Sequence, residues 1–302
     1  MAEPDRLAIL IRSARRTYTT PGFAMAERLS ATWARRAGGP YLTAIEGVRR
    51  AMGQDGAYLL NHSYEWGCTA AAVPGAGGAT LLRTLDWPFD GLGEALIVTR
   101  WDGGAGPYCS VTWPGTVGVL TGMAPGRFAG SINQPPLPAP RWGRAAGWPI
   151  ARARVWRSRA VSPTHLLRRV FDRCETYADA VRMVHDTPLC SPAIFTLAGP
   201  GDGEAIVIER TRDAAFVPAT SVAANHWASA GAPLGRARNP SSYERYGAIS
   251  ALAAPDWSLA WAAPPIVQPD TRVVMMAHPR SGRMLVQGWE DAGPVTQVLV
   301  IP

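Results

Sequence analysis

The sequence contains no lysine, and all 30 basic side chains of its 302 residues are arginine. That absence reads as codon bias in a GC-rich genome. Acidic residues are missing locally. From Gly103 to Phe171 there is no Asp or Glu but there are nine arginines, six of them between Arg141 and Arg159, interleaved with Trp142, Trp148 and Trp156. With a net charge of +7, such a basic, aromatic stretch suits peripheral contact with an anionic membrane surface. Nucleic acid is a weaker candidate, and a solvated basic loop with inward-packed tryptophans is the plainest reading. Long apolar runs are also missing: no 18 consecutive apolar residues occur, so no membrane-spanning helix is expected. The polar, mixed-charge residues 1–6 and the short apolar run 7–11 do not make a secretory signal, and the expected location is cytoplasmic. Cysteine is sparse. Cys68, Cys109, Cys174 and Cys190 show no CxxC spacing, which argues against a zinc site, a redox motif or a disulfide framework. No metal and no cofactor are expected. The default role of each thiol is that of a small buried hydrophobe.

What is present is a globular chain, 47% hydrophobic, long enough for a substantial core. Leu7, Leu10, Ile11 and Ala14 recur at helical spacing. A second helix is expected over 23–36, ended by Gly38-Gly39-Pro40, and a third carries Tyr41, Ile45, Val48 and Met52 on one face and stops at Gly53. Residues 58–66 lead into Cys68 as helix or irregular chain. The texture then changes. Small apolar residues 69–73, a Pro/Gly turn at 74–78 and a returning strand over 79–85 predict a hairpin. Further strands are expected at 95–101, 108–113, 116–121 and 128–132, followed by a proline-rich break at 135–140. Helices are expected at 164–174, started by Ser162 and Pro163, and at 177–185. Strands resume at 193–198, 205–210 and 221–224, a helix at 241–253, and strands close the chain at 273–277, 284–287 and 297–301. Strand groups around a central helical block predict a layered α+β fold of one domain.

The chemistry centres on Cys68. A thiol attacks a carbonyl as thiolate and needs a base, yet none of the five histidines sits in a recognisable motif. Were the chain cut before Cys68, the new α-amine, with a reference pKa of about 7.7–8.0, could serve as that base. Other readings stand beside this one. An Arg-x-x-Asp such as Arg83…Asp86 is often a surface ion pair, Asn225 beside His226 could mark a turn, and Arg245 could lie on an exposed helix face.

Several segments share a family resemblance. Tyr41-Leu42-Thr43-Ala44-Ile45-Glu46-Gly47-Val48, Tyr64-Glu65 and Cys68-Thr69 resemble the light-chain end and nucleophile of the acid ceramidase and N-acylethanolamine acid amidase family. Arg83-Thr84-Leu85-Asp86-Trp87-Pro88-Phe89, Thr121 to Gly126 with Ser131-Ile132-Asn133, Ala224-Asn225-His226-Trp227 and Ser242-Tyr243-Glu244-Arg245-Tyr246 follow in family order. The last of these is also similar to a segment of penicillin acyltransferases. The resemblance implies a four-layer αββα N-terminal-nucleophile (Ntn) hydrolase sandwich, with residues 1–67 as a helical covering segment (the light chain after autocleavage) and 68–302 as the catalytic body.

It further implies roles. Cys68 is the nucleophile and attacks the Gly67 carbonyl in the self-cut. Arg83 favours its thiolate, Asp86 orients the α-amine, Asn225 donates to the oxyanion, and Arg245 anchors the site. Asn133 is an oxyanion or substrate candidate, and Met123 a lining residue. The expected activity is hydrolysis of linear carbon–nitrogen amide bonds in small hydrophobic N-acyl compounds through a Cys68 thioester. The alternatives are acyl transfer to an amine and a non-catalytic lipid- or nucleic-acid-binding relative. The sequence departs from the family in one respect: the acid ceramidase branch carries a processing-linked Glu in its central region, and 103–171 has none. Glu65 is a weak substitute.

Overall fold

A computed structural model describes residues 3–62, 66–138, 147–233, 235–252 and 256–301, the side chains at 137–138, 147–149 and 236 aside. Four helices open the chain. α1 (Glu3–Tyr18) buries Leu10, Ile11 and Ala14, the face set by their spacing. α2 (Thr20–Ala37) starts where the Thr19 hydroxyl accepts from the Gly22 N–H and ends at Gly38 in the left-handed conformation. α3 (Leu42–Met52) stops in the same way at Gly53. α4 (Ala57–His62) has no capping side chain of its own before it. The buried Glu27 carboxylate of α2 accepts instead from the N–H groups of Tyr58 and Leu59, at 3.3 and 2.7 Å.

Two antiparallel sheets follow. The first joins β1 (Gly67–Val73), β2 (Thr80–Asp86), β11 (Val222–Ala223), β13 (Thr271–His278), β14 (Arg283–Glu290), β15 (Gly293–Pro294) and β16 (Leu299–Ile301), in the order β11-β1-β2-β13-β14-β15 with β16 also on β14. The second joins β3 (Ile97–Gly103), β4 (Gly106–Thr112), β5 (Thr121–Ala124), β6 (Phe128–Asn133), β8 (Ala193–Ala198), β9 (Ala205–Arg210) and β10 (Ala215–Phe216), in the order β10-β9-β8-β6-β5-β4-β3. A short pair, β7 (Leu137–Pro138) with β12 (Gly235–Arg236), stands apart. The remaining helices are α5 (Gly147–Arg157), α6 (Pro163–Arg173), α7 (Tyr177–Asp186) and α8 (Ser242–Ser250).

Alternation along the strands sorts side chains into layers. Cys68, Ala72, Leu81, Leu85, Val273, Met275, Ala277 and Val286 face the space between the sheets. Ala71, Leu82, Val274, Met276 and Leu285 face the other way, onto Ile249 of α8 and the Trp261–Ile266 region. The outer face of the second sheet, with Phe128, Ile132, Phe195 and Leu197, packs on Leu167, Val170 and Phe171 of α6 and Val184 of α7. Helix, sheet, sheet and helix thus stack in four layers, as expected from the sequence. The helices α1–α4 cover one end of the inner layer with Leu10, Ile11, Phe23, Leu59 and Leu60.

Three expectations need correction. Residues 116–120 are not a strand. The Thr116 N–H turns back to Trp113, and the Val119 N–H bonds the Thr164 carbonyl at 3.0 Å, so their apolar character reflects burial without pairing. The basic stretch is not a loop over 147–157 but helix α5, with Trp156 partly exposed under the Arg36 guanidinium; 141–146 lie outside the described residues. The strand expected at 221–224 is shorter, because Ala224 and Asn225 leave the sheet edge to enter the site described next. Among the described residues no helix is long and apolar enough to cross a membrane.

Candidate active site

Cys68 is the second residue of β1, wholly buried, with its side chain between the sheets. Antiparallel pairing places β2 beside it, with Leu85 opposite Cys68 and Asp86 opposite Gly67. Arg83, two residues before Leu85, points to the same inner face and carries the thiol's main polar contact: its Nη2 donates to Cys68 Sγ at 2.8 Å. The same guanidinium is aimed from behind. Nη2 also donates to the Ile132 carbonyl at 2.7 Å, and Nη1 donates to Asn133 Oδ1. Asn133 is in turn fixed by its Nδ2, which donates to the carbonyls of Ala223 and Ala224 at 3.2 and 3.1 Å. Asn133 therefore aims Arg83, a role the sequence did not suggest.

The backbone nitrogen of Cys68 is held separately. Its N–H donates to Asn225 Oδ1 at 2.8 Å, and the Arg245 Nη2 donates to the same oxygen at 2.8 Å. The Asn225 Nδ2 donates to the Gln134 carbonyl at 2.8 Å, so the network fixes which end of the amide is which. Arg245 is fully buried rather than on an exposed helix face, and its Nη1 donates to Asp86 Oδ2. Asp86 Oδ1 accepts from the Thr271 hydroxyl at 2.8 Å. Arg83 and Asp86 are likewise both buried, and they do not form the surface ion pair that their spacing also allowed. With the Gly67–Cys68 peptide bond intact, Asn225 takes the Cys68 N–H, and one N–H of the Asn225 amide that the resemblance assigned to an oxyanion donates to Gln134.

Gly67 lies close to this carboxylate. A Cβ there would come within 3.2 Å of Asp86 Oδ2, tighter than ordinary contact, so the carboxylate would have to shift by a few tenths of an ångström to admit a side chain. Met123 is buried in β5, in the same inner layer as Cys68. Ser63, Tyr64 and Glu65 lie outside the described residues. Sequence reasoning missed Thr271 and Ser242. The Ser242 Oγ accepts from the Asn225 N–H at 2.7 Å and meets His226 Nδ1 at 2.8 Å. Ser242 opens the quoted Ser-Tyr-Glu-Arg-Tyr segment, so a signal existed; Thr271 offered none.

Burial pushes the Cys68 thiol up to about 11, against the pull of Arg83 and Arg245 and with a push from Asp86. In the uncut chain the thiol is therefore protonated at neutral pH, with two guanidinium groups nearby to receive its charge when it ionises. The other thiols are ordinary packing groups. Cys174 and Cys190 are buried, Cys109 half-buried, and all are unpaired.

Two face-to-face sheets between helical layers, with this cysteine at the start of a central strand, define the Ntn-hydrolase fold. No family model matches the chain. It is similar to the N-acylethanolamine-hydrolyzing acid amidase of Caenorhabditis elegans, 30% identical over 177 residues, which are 57% of this chain and 47% of that protein. It is also similar to the enzyme of the same name from Oryctolagus cuniculus, 28% identical over 163 residues, 51% of this chain and 42% of that one. The chain spans about half the length of the curated relatives it matches. Among solved structures it is similar to the Caenorhabditis elegans N-acylethanolamine-hydrolyzing acid amidase (NAAA) ortholog, with a TM-score of 0.55 and 20% identity, over 78% of this chain and 100% of that chain. The relatives and the solved structure it is similar to carry the same name, that of an N-acylethanolamine-hydrolyzing acid amidase.

Proposed function

We propose that this protein is an autoprocessing N-terminal-cysteine amidase. It cuts its own Gly67–Cys68 bond and then hydrolyses linear carbon–nitrogen amide bonds of hydrophobic N-acyl compounds through a Cys68 thioester. One observation carries the reading. The buried thiol and the backbone nitrogen of the same residue are each gripped at 2.8 Å, the first by Arg83 and the second by Asn225.

In the self-cut, Cys68 Sγ adds to the Gly67 carbonyl carbon. The carbon–nitrogen bond breaks as the carbon–sulfur bond is kept, and the thiol proton ends on the departing nitrogen, which becomes an α-amine. Water then adds to the thioester and releases Gly67 as a carboxylic acid with the thiol restored. Residues 1–67 become a light chain and 68–302 the catalytic body. From then on the α-amine, with a reference pKa of about 7.7–8.0, can take the thiol proton at neutral pH. Asn225 Oδ1 already accepts from that nitrogen, and Asp86 lies opposite Gly67 on the neighbouring strand. Asn225 Nδ2 donates one of its two N–H groups to the Gln134 carbonyl, and the other is the donor we assign to the oxyanion, a contribution of about 3 kcal/mol by analogy with other such donors.

The relatives are named for hydrolysis of N-acylethanolamines, and an N-acyl amide is the substrate class we assign. Acyl transfer is distinguished from hydrolysis by its need for an amine acceptor in place of water. Helix α5, with Arg154, Arg157 and the partly exposed Trp156, is the face we assign to peripheral contact with an anionic membrane. The test is intact mass of the purified protein with an amidase assay. Two fragments, the larger beginning at Cys68, are expected, and a single inert chain for Cys68→Ala. A wild-type chain that stays whole and inert toward acyl amides overturns the reading. Amide product formed only with an added amine would make it an acyltransferase.

A further inference from the structure

We infer that His226 is a positioning residue for the amidase reaction, holding the oxyanion donor Asn225 in place through the Ser242 hydroxyl. This role rests on the amidase reading above and concerns the residue after Asn225, which that reading does not use.

Asn225 lies two residues past the end of β11, so the sheet does not hold it. Helix α8 does. Ser242, Arg245 and Ile249 recur at helical spacing and form the buried face of that helix. The first two grip Asn225, one by its backbone and one by its side chain. Ser242 Oγ accepts from the Asn225 N–H at 2.7 Å, and Arg245 Nη2 donates to Asn225 Oδ1 at 2.8 Å. The Ser242 hydroxyl still has a proton to place. It is fully buried, and the acceptor it meets among the described residues is His226 Nδ1, at 2.8 Å. The Asn225 N–H, the Ser242 O–H and His226 Nδ1 therefore form one directed chain, which puts the imidazole's own proton on Nε2. The ring is held against the same helix. It stacks on Tyr243 at 4.1 Å and meets Tyr246 edge-on at 5.1 Å.

The chain of bonds works in one protonation state. A protonated imidazole has no acceptor. Its Nδ1 would donate to Ser242 Oγ and leave the Ser242 proton buried without a partner, an arrangement relieved by turning the hydroxyl away from Asn225. The groups of α8 that face His226 are Tyr243, Tyr246 and Arg245. On the side of β9, Glu209 is occupied by the Ala228 and Ser229 N–H groups, at 2.5 and 3.1 Å. Burial, with the Arg245 charge adding to it, holds His226 below the ordinary value of about 6.5, so the neutral ring prevails at neutral pH.

The experiment measures kcat and KM on one N-acyl amide from pH 5 to pH 8 for matured wild type, His226→Phe and His226→Asn, with maturation checked by intact mass. Phenylalanine keeps a ring on Tyr243 but offers no acceptor. Asparagine offers an amide oxygen in place of Nδ1 and does not titrate. At neutral pH His226→Phe should lose about tenfold or more in kcat while KM changes less than about twofold, because a misplaced donor weakens the transition state more than the ground state. His226→Asn should recover most of that loss. Below about pH 6.5 the wild-type kcat should fall more steeply than the roughly tenfold per pH unit that protonating the α-amine alone imposes, and His226→Asn no more steeply than that. Where a variant stays uncut, its rate of self-cleavage by time-resolved mass takes the place of kcat, with the same order expected. If His226→Phe does not fold, the acid limb of His226→Asn against that of wild type decides. A His226→Phe with wild-type kcat, or a His226→Asn with the wild-type acid limb, overturns this role and leaves the amidase reading standing. A wild-type chain that neither cuts itself nor hydrolyses the amide overturns both.

Discussion

Two clusters of buried polar side chains in this chain are treated in opposite ways. Around Cys68, the side chains of Arg83, Asp86, Asn133, Asn225 and Arg245 bond one another and nearby carbonyls, and among the described residues only the Nε atoms of the two arginines in this cluster lack partners. At the seam between α4 and α6, His62 and His165 meet edge to face, 5.5 Å between centroids, flanked by Trp33 and Tyr41. Both nitrogens of His62 and the Nε2 of His165 have no partner among the described residues. The first cluster uses charge, and its many bonds leave each atom one position. The second uses imidazole as an aromatic filler, and burial holds it neutral: His62 is pushed down to about 4, and His165 well below its ordinary value with the His62 and Arg168 charges adding to the effect.

The contrast can be broken from either side. The largest effect should come from Arg245→Met, which leaves Asp86 buried and uncompensated. A loss of about 3–5 kcal/mol is expected in denaturant unfolding, with no self-cleavage. Acid should attack the second cluster next. The unfolded His62 ionises near 6.5 and the folded one near 4, so the unfolded chain binds more protons between those values and stability falls as pH drops through that window. At about 1.4 kcal/mol per pH unit, His62 alone should account for about 3 kcal/mol by pH 4. His62→Phe should flatten that slope in thermal melts taken from pH 7 to pH 4, and an unchanged slope would place the acid sensitivity elsewhere. Arg83→Gln should slow self-cleavage on the order of a hundredfold by time-resolved mass, since it removes a preorganised charge at the sulfur. Gly67→Ala should be mildest, roughly tenfold slower, because Asp86 is pinned by Arg245 and Thr271 and must still give way.

The fold was legible where periodicity and punctuation agree. The Leu7/Leu10/Ile11/Ala14 face, the stop at Gly53, the Ser162 cap and the hairpin around Pro74–Gly78 all follow from local chemistry. Residues 116–120 misled because their apolar pattern serves burial under α6 rather than a ladder. Helix α5 was missed because arginines interrupt any apolar stripe. At the site, sequence order pointed to residue types but not to atoms. Nothing in Asn225 or Asn133 tells which end of an amide faces a nitrogen, or that Asn133 serves Arg83. Those assignments arise from three segments distant in sequence (83–86, 132–134 and 223–225) meeting at one strand end, which no local pattern encodes.

The helices α1–α4 are joined to the rest by more than the 67–68 bond. Tyr41 donates to Asp172 at 2.8 Å, Asn61 Oδ1 accepts from the Val117 N–H at 2.6 Å, and the Trp33 indole donates to the Val155 carbonyl at 2.8 Å. While the bond is whole, these contacts form at the high local concentration that a short tether imposes. The proposed cut would turn one molecule into a complex of two, and its integrity into a matter of mass action. Dilution, harmless to the uncut chain, then becomes a variable: below the dissociation constant of the seam, the covering helices leave and the layer between the sheets meets water.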